Sequence, residues 1–199
     1  MKKSAFVLTA AACLAAAGCS DSGNEAAANG QGGNASADAS VAAGEGTIVT
    51  ALRGNSDLSS ASGLVDSAGL ASVLEGVGPY TVFAPTNAAL QGGLGEQHLG
   101  ELRGEAMRPQ AVALLRGHIV PGVVTRRDIG AAIDAAHNEP VQMRTMADTV
   151  LTFARDGDAI TVSAADGASA RLTGDESTVQ NGAVQPIDGL LRRAEGPPQ

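Results

Sequence analysis

Histidine and carboxylate side chains are the groups in this sequence that could bind a metal ion or move a proton. The histidines are spaced too far apart to form a zinc-binding pattern by themselves, and a zinc site would need carboxylates brought in by folding. Residues 156–158 read Asp-Gly-Asp, as in a calcium loop, but Ile160 follows and the closing glutamate of an EF-hand is missing. The sequence therefore predicts no metal site and no cofactor at His98, His118, His137 or residues 156–158.

A pair of carboxylates is the catalytic arrangement that the composition leaves open. Asp188 and Glu176 could serve as acid and base in a hydrolase of envelope polymers. The sequence has no Gly-x-Ser-x-Gly, His-Glu-x-x-His or Gly-x-Gly-x-x-Gly motif and no phosphate loop. We therefore predict that the protein is not an enzyme. The alternatives are this hydrolase and a periplasmic carrier of small molecules, which would need an apolar pocket.

Cys19 is predicted to be a site of lipidation. Two lysines precede an apolar run at residues 5–17, which is too short to span a bilayer but fits the core of a signal peptide. Small residues at 16–18 directly before Cys19 are typical of a bacterial lipoprotein signal. We expect residues 1–18 to be removed and lipid to be added to Cys19, with an ordinary secretory signal as the alternative. Ser20 favours an outer-membrane or periplasmic location in the cell envelope.

Composition predicts the bounds of the tether, the domain and the tail, and it limits the classes of partner that the protein can bind. Residues 19–45 are small and polar, with Val41 as the one larger aliphatic side chain, and we predict a disordered tether there. Residues 46–194 are predicted to form a single domain, and residues 195–199 a C-terminal tail. The net charge of −8 disfavours nucleic acid as a partner, and acyl chains rather than a basic face are expected to attach the protein to a membrane.

Local patterns predict helices early in the domain and strands late. A helix is expected from Ser56 or Asp57 to Gly69, and others after Thr86, at Pro109 and at a Thr125–Asp128 capping box. Four short strands are expected between residues 141 and 173, with turns at residues 156–157 and 166–167. This segregation favours an α+β fold.

Three segments, in order, resemble the signatures of the fasciclin (FAS1) domain family. Residues 80–87, Tyr-Thr-Val-Phe-Ala-Pro-Thr-Asn, resemble the first signature. Residues 114–122 resemble the tyrosine–histidine segment, with Gly117 where tyrosine is usual, and residues 181–191 resemble the closing signature. The resemblance covers roughly residues 46–194 and implies a β-sandwich or wedge with helices packed around it.

The same resemblance implies an interaction or adhesion module whose partner is an envelope or extracellular protein or polymer. Residues 175–176 stand where the family has an aspartate–isoleucine adhesion element. Each candidate also has a structural interpretation. For His118 we favour it over the contact role, with the ring nitrogens satisfying buried backbone groups, and the asparagine and the last aspartate can stabilise a turn. The candidate interaction residues are His118, Asp175, Glu176, Asn181 and Asp188.

Four further expectations concern packing. Because proline lacks a backbone donor, Pro186 predicts that the closing strand lies at a sheet edge or is bulged. Without the tyrosine ring at position 117, His118 is expected to be more open to solvent. The paired arginines at 126–127 are expected to form solvated ion pairs. The side chains predicted to be buried are those of Leu64, Val82, Phe83, Val112, Leu115, Val162 and Ile187.

Overall fold

Two four-stranded sheets form the framework of the computed structural model, which describes residues 44–76 and 78–192. The first sheet has the order β2-β1-β8-β7 and the second the order β3-β4-β5-β6. The strands are β1 (Tyr80–Pro85), β2 (Ile119–Pro121), β3 (Val141–Arg144), β4 (Val150–Asp156), β5 (Ala159–Ala164), β6 (Ser169–Arg171), β7 (Ser177–Val179) and β8 (Gly182–Ile187).

Helices fill the first half of the domain. The first five contribute to the core next to the first sheet, and the last packs against the second sheet. Short 3₁₀ turns at Ser56–Leu58 and Glu105–Met107 precede two of them. The helices are α1 (Ile48–Gly54), α2 (Ser59–Ala68), α3 (Ala71–Leu74), α4 (Asn87–Leu102), α5 (Arg108–Arg116) and α6 (Arg126–Ala135). The predicted single-domain α+β fold is confirmed.

The predicted helix ends at Gly69, Thr86 and Thr125 are confirmed by their capping contacts. The predicted cap at Ser56 or Asp57 is wrong, because these residues lie in a 3₁₀ turn capped by Asn55 and α2 begins at Ser59 without a side-chain cap. The Thr86 hydroxyl accepts a hydrogen bond from Ala89 N at 3.2 Å at the start of α4. Thr125 and Asp128 form a reciprocal capping box at the start of α6. Gly69 ends α2 in the left-handed conformation, with φ 74°. The capping box at Thr47, which starts α1, was not predicted.

The central strand β1 is buried on both faces. Its partner on one side is β2, antiparallel, and on the other β8, parallel over six residue pairs from Tyr80↔Gly182 to Pro85↔Ile187. Val82 belongs to the core beneath the helices, whereas Phe83 belongs to the core shared with the second sheet. Period-two alternation therefore lets one strand serve two cores.

The predicted core residues are buried, with one exception. Phe83 is 0% exposed and its ring lies 5.2 Å from that of Phe153, at a 43° tilt. Leu64, Val82, Leu115, Val162 and Ile187 are also buried. Val112 is half-buried and packs against the helical core.

The prediction that Pro186 places the closing strand at a sheet edge is wrong, because β8 is an interior strand. Its pairing with β7 ends at Val184, before Pro186 is reached. There the Pro186 carbonyl instead accepts a hydrogen bond from Thr173 N at 2.9 Å. The missing proline donor therefore falls just beyond the end of the β7 ladder, where the interior strand tolerates it.

Several expectations concern residues that the structure does not describe. The predicted signal peptide, Cys19, most of the tether and residues 195–199 lie outside the described residues. Gly44, assigned to the tether from sequence, donates its backbone N–H to Thr178 O at 2.9 Å and bridges to β7. Within residues 44–76 and 78–192, no helix has the length and apolar character needed to cross a bilayer.

Candidate interaction site

His118 is fully enclosed between the end of α5 and the chain segment that follows β8. It is 1% exposed. Its Nδ1 lies 2.9 Å from Leu114 O, and Leu191 N donates to its Nε2 at 3.0 Å. Because a carbonyl only accepts hydrogen bonds, Nδ1 carries the proton and Nε2 is the acceptor. Both ring nitrogens are therefore used to join two distant parts of the backbone.

Burial also keeps this imidazole neutral. Desolvation lowers the pKa of His118 from 6.5 to about 4, while the hydrogen bond to the Leu114 carbonyl opposes that shift. A second ring proton would place an N–H donor against the Leu191 N–H donor. The contact to Leu191 therefore requires the neutral ring.

The expectation that His118 is more open to solvent is wrong. Gly117 lies in the right-handed helical region, with φ −70° and ψ −15°, and is itself buried. The imidazole is only 1% exposed although residue 117 has no side chain, so a tyrosine ring at that position is not needed to enclose it. The buried ring therefore offers no contact surface to a partner.

The loop before β7 carries Asp175 and Glu176 and is held against the start of α6. Glu176 Oε2 accepts a hydrogen bond from Arg126 N at 2.7 Å, at the positive end of the helix. The Arg126 Nη2 donates to Thr173 O and Gly174 O at 2.9 and 3.0 Å. Asp175 is exposed, and its side chain makes no hydrogen bond or ion pair with any other residue in the described part of the chain.

Arg126 was missed as a positioning residue. Its Nη2 bonds the carbonyls of Thr173 and Gly174, and its Nε donates to Gln185 Oε1 at 3.3 Å. One guanidinium group therefore joins α6, the loop before β7 and the interior strand β8. The expected solvated ion pair is therefore wrong for Arg126. The Thr125–Asp128 capping box predicts where α6 begins. No local pattern in the sequence predicts that the carbonyls of Thr173 and Gly174 lie opposite Arg126.

Asn181 and Asp188 flank β8 and bond mainly to backbone groups. Asn181 Oδ1 accepts from Ile48 N at 2.9 Å, and its Nδ2 donates to Leu74 O at 2.6 Å. Asp188 Oδ1 accepts from Arg171 N at 2.6 Å. Asn181 thus joins α1 to the end of α3, and Asp188 joins the end of β8 to β6.

The two carboxylates of the hydrolase alternative are not brought into one pocket. Glu176 lines a hollow of about 780 Å³ between α1 and β7, whereas Asp188 lines a separate hollow of about 340 Å³ beside the first turns of α4. Across residues 44–76 and 78–192, no group of three or more His, Cys, Asp or Glu side chains is placed to hold a metal ion.

A cleft of about 700 Å³ lies beside Gly117 and was not predicted from sequence. Four segments that are distant in sequence line it, which is why no local pattern reveals it. They are the end of α5 with Gly117, residues 146–149 after β3, residues 164–166 after β5, and Leu191 with Arg192.

The buried histidine predicts a pH-dependent stability. Because the folded-state pKa is about 4 and the unfolded value is 6.5, the unfolded chain binds the extra proton between these limits. Stability from this group is complete above pH 6.5 and is lost as pH falls to 4, by about 3 kcal/mol in total. His118→Gln should also lower stability at pH 7 by about 1–3 kcal/mol, since buried backbone groups lose their partners.

Denaturant unfolding of the wild type and His118→Gln between pH 4 and 7.5 measures both effects. His137→Gln, in which an exposed histidine is replaced, is the matched control and should keep the wild-type pH dependence. Equal slopes for wild type and His118→Gln would contradict the assignment of a neutral, buried imidazole.

Sequence comparisons place the chain among fasciclin-domain proteins. The family model described as Fasciclin domain matches residues 56–193. Transforming growth factor-beta-induced protein ig-h3 of Sus scrofa is 30% identical over 155 residues, which are 77% of this chain but 20% of that protein. Protein sll1483 of Synechocystis sp. is 31% identical over 148 residues, covering 73% of this chain and 72% of that protein.

A solved structure gives the same result for the fold. A FAS1 domain pair from the insect cell adhesion molecule Fasciclin I matches with a TM-score of 0.51 and 22% identity, over 67% of this chain and 44% of that one. The segments that resemble family signatures lie side by side here as β1, β2 and β8. On the family match and this shared architecture, the chain is a member of the fasciclin domain family.

Proposed function

We propose that this protein is a non-enzymatic interaction or adhesion module, held at the bacterial cell envelope by lipid on Cys19. The observation that carries the interaction role is the Fasciclin domain match over residues 56–193, because fasciclin domains act as adhesion and interaction modules. The partner is an envelope or extracellular protein or polymer. Nucleic acid is disfavoured by the net charge of −8.

The loop at residues 173–176 is the proposed contact surface. Among the candidate residues, His118 is buried, and Asn181, Glu176 and Asp188 are engaged by backbone N–H groups. Asp175 is exposed at the tip of a loop whose backbone Arg126 fixes at two carbonyls. A rigidly held, exposed carboxylate can bind a cationic or hydrogen-bond-donating partner with little loss of loop entropy.

Attachment through Cys19 rests on the sequence pattern alone. Two or three acyl chains would hold the protein stably, whereas one chain binds only marginally. A tether at positions 20–43, before Gly44 joins β7, would reach on the order of 25–30 Å and hold the domain clear of the headgroups. The location proposed is the outer membrane or the periplasm.

Cys19→Ser should release the protein from the membrane fraction, because the acceptor of the lipid is lost. Fractionation and mass spectrometry of the mature N-terminus measure this. Cys13→Ser, in the predicted signal peptide, is the matched control and should leave anchoring intact. Unchanged fractionation of Cys19→Ser, with no lipid mass on the wild-type terminus, would disprove the lipoprotein assignment.

A photoreactive amino acid at Thr173 leaves the Asp175 carboxylate in place and should capture the partner in intact cells. The same photoreactive residue at the exposed position Glu139 is the control and should give no matching adduct. Excess wild-type protein should suppress the adduct at position 173, whereas excess Asp175→Asn protein should not. Identical adducts from both positions, no adduct from position 173, or equal suppression by the two competitors would refute the contact surface.

A further inference from the structure

The cleft beside Gly117 has the size and lining of a small-molecule site. Its volume of about 700 Å³ lies within the roughly 300–1,000 Å³ range of ligand pockets. Leu191 and Gly117 are buried, and Ala113, Met146 and Ala164 are half-buried, so the inner lining is apolar. The charged side chains that line it are exposed and therefore lie at its mouth.

Glycine at position 117 is not required by the backbone. Its φ and ψ are right-handed helical, which any residue adopts. A Cβ there would lie 3.3 Å from Leu114 O, a tight contact that a small adjustment relieves, and would meet no atom of the other cleft walls within 4 Å. The missing side chain therefore leaves open space on the cleft side.

The walls of this cleft are held in place. His118, which follows Gly117, accepts the hydrogen bond from Leu191 N and so fixes the wall formed by the chain after β8. Met146 N donates to Ile119 O at 2.8 Å, and Ala147 N donates to Arg116 O at 3.2 Å. A preformed apolar space loses little entropy when a ligand enters it.

Arg116 is the charged side chain at the mouth with donors available to a ligand, although the two arginines and two aspartates there balance in formal charge. Asp148 is already paired with Arg144 at 2.5 Å. Asp166 and Arg192 are each engaged in an interaction of their own. Arg116 donates one Nη2 hydrogen bond to Met146 O at 2.9 Å, and within residues 44–76 and 78–192 it has no carboxylate partner. Its remaining donors can bind a carboxylate or sulfonate.

We propose that the cleft binds a small hydrophobic anion, with its apolar body between Met146 and Leu191 and its anionic group on Arg116. The thioether of Met146 suits an aromatic body in particular. This site is separate from the loop at residues 173–176 and does not depend on the interaction role.

Two dyes that differ in one group test the proposal. The anion 1-anilinonaphthalene-8-sulfonate and its uncharged parent, N-phenyl-1-naphthylamine, are titrated by fluorescence into the full chain carrying Cys19→Ser, so that lipid does not compete. The wild-type site should bind the anion saturably at one equivalent. Arg116→Gln should weaken the anion roughly fivefold and leave the uncharged dye within about twofold. Arg127→Gln, an exposed arginine outside the cleft, is the charge control.

Filling the cleft should abolish binding of both dyes. Gly117→Tyr places a ring in the space, and Gly100→Tyr, on the exposed face of α4 with no atom within 4 Å of the added Cβ, is its control. If Gly117→Tyr does not fold, Ala165→Trp at the exposed mouth decides the question. Unaltered anion binding by the filled variants, or an equal effect of Arg116→Gln on both dyes, would overturn the proposal.

A chain that ends at Arg192 tests whether residues 193–199, rather than a small molecule, occupy the cleft. The proposal expects its dye affinity to equal that of the full chain within about twofold. A large gain in affinity on removal of residues 193–199 would identify that segment as the occupant and overturn the small-molecule assignment.

Discussion

The parallel pairing of β1 with β8 is the constraint on which the rest of the domain depends. It brings residues 80–85 against residues 182–187, across almost one hundred residues of intervening chain. At its first pair only glycine fits, because a Cβ on Gly182 would overlap the Tyr80 carbonyl oxygen and crowd Ile48 Cδ1. Both cores form on this pair of strands, since Val82 and Val184 face the helices while Phe83 and Ile187 face the second sheet.

Polar residues next to these strands secure the pairing rather than face solvent. Asn181 ties the turn before β8 to α1 and to the end of α3, and His118 ties the chain after β8 to α5. Arg126 and Gln185 join β8 to the loop that precedes β7. These contacts also hold in shape the two surfaces proposed to bind other molecules, the exposed loop at Asp175 and the cleft beside Gly117.

Local signals in the sequence predicted many of the helices and strands, though not α1 or β7, and they did not predict the contacts between elements. The Thr86 and Thr125 caps, the Gly157 and Gly167 turns and the burial of Phe83 follow from neighbouring residues, and each was predicted. The carbonyls that receive Arg126 and the Leu191 amide that bonds His118 lie 47 to 73 residues away from these side chains, and Pro186 is interior because it pairs with Ala84, 102 residues earlier. No alternation or cap encodes such distances, and a cleft built from four segments is invisible for the same reason.

Native-state hydrogen exchange, read residue by residue against the global free energy of unfolding, tests the central role of the β1–β8 pairing most directly. If the pairing closes the fold, the amides of β1 and β8 exchange only when the whole domain unfolds, so that their opening free energy equals the global value. Amides of the edge strand β3 should open at lower cost. Exchange of β1 and β8 through a partial opening, while β4 and β5 stay protected, would contradict the account.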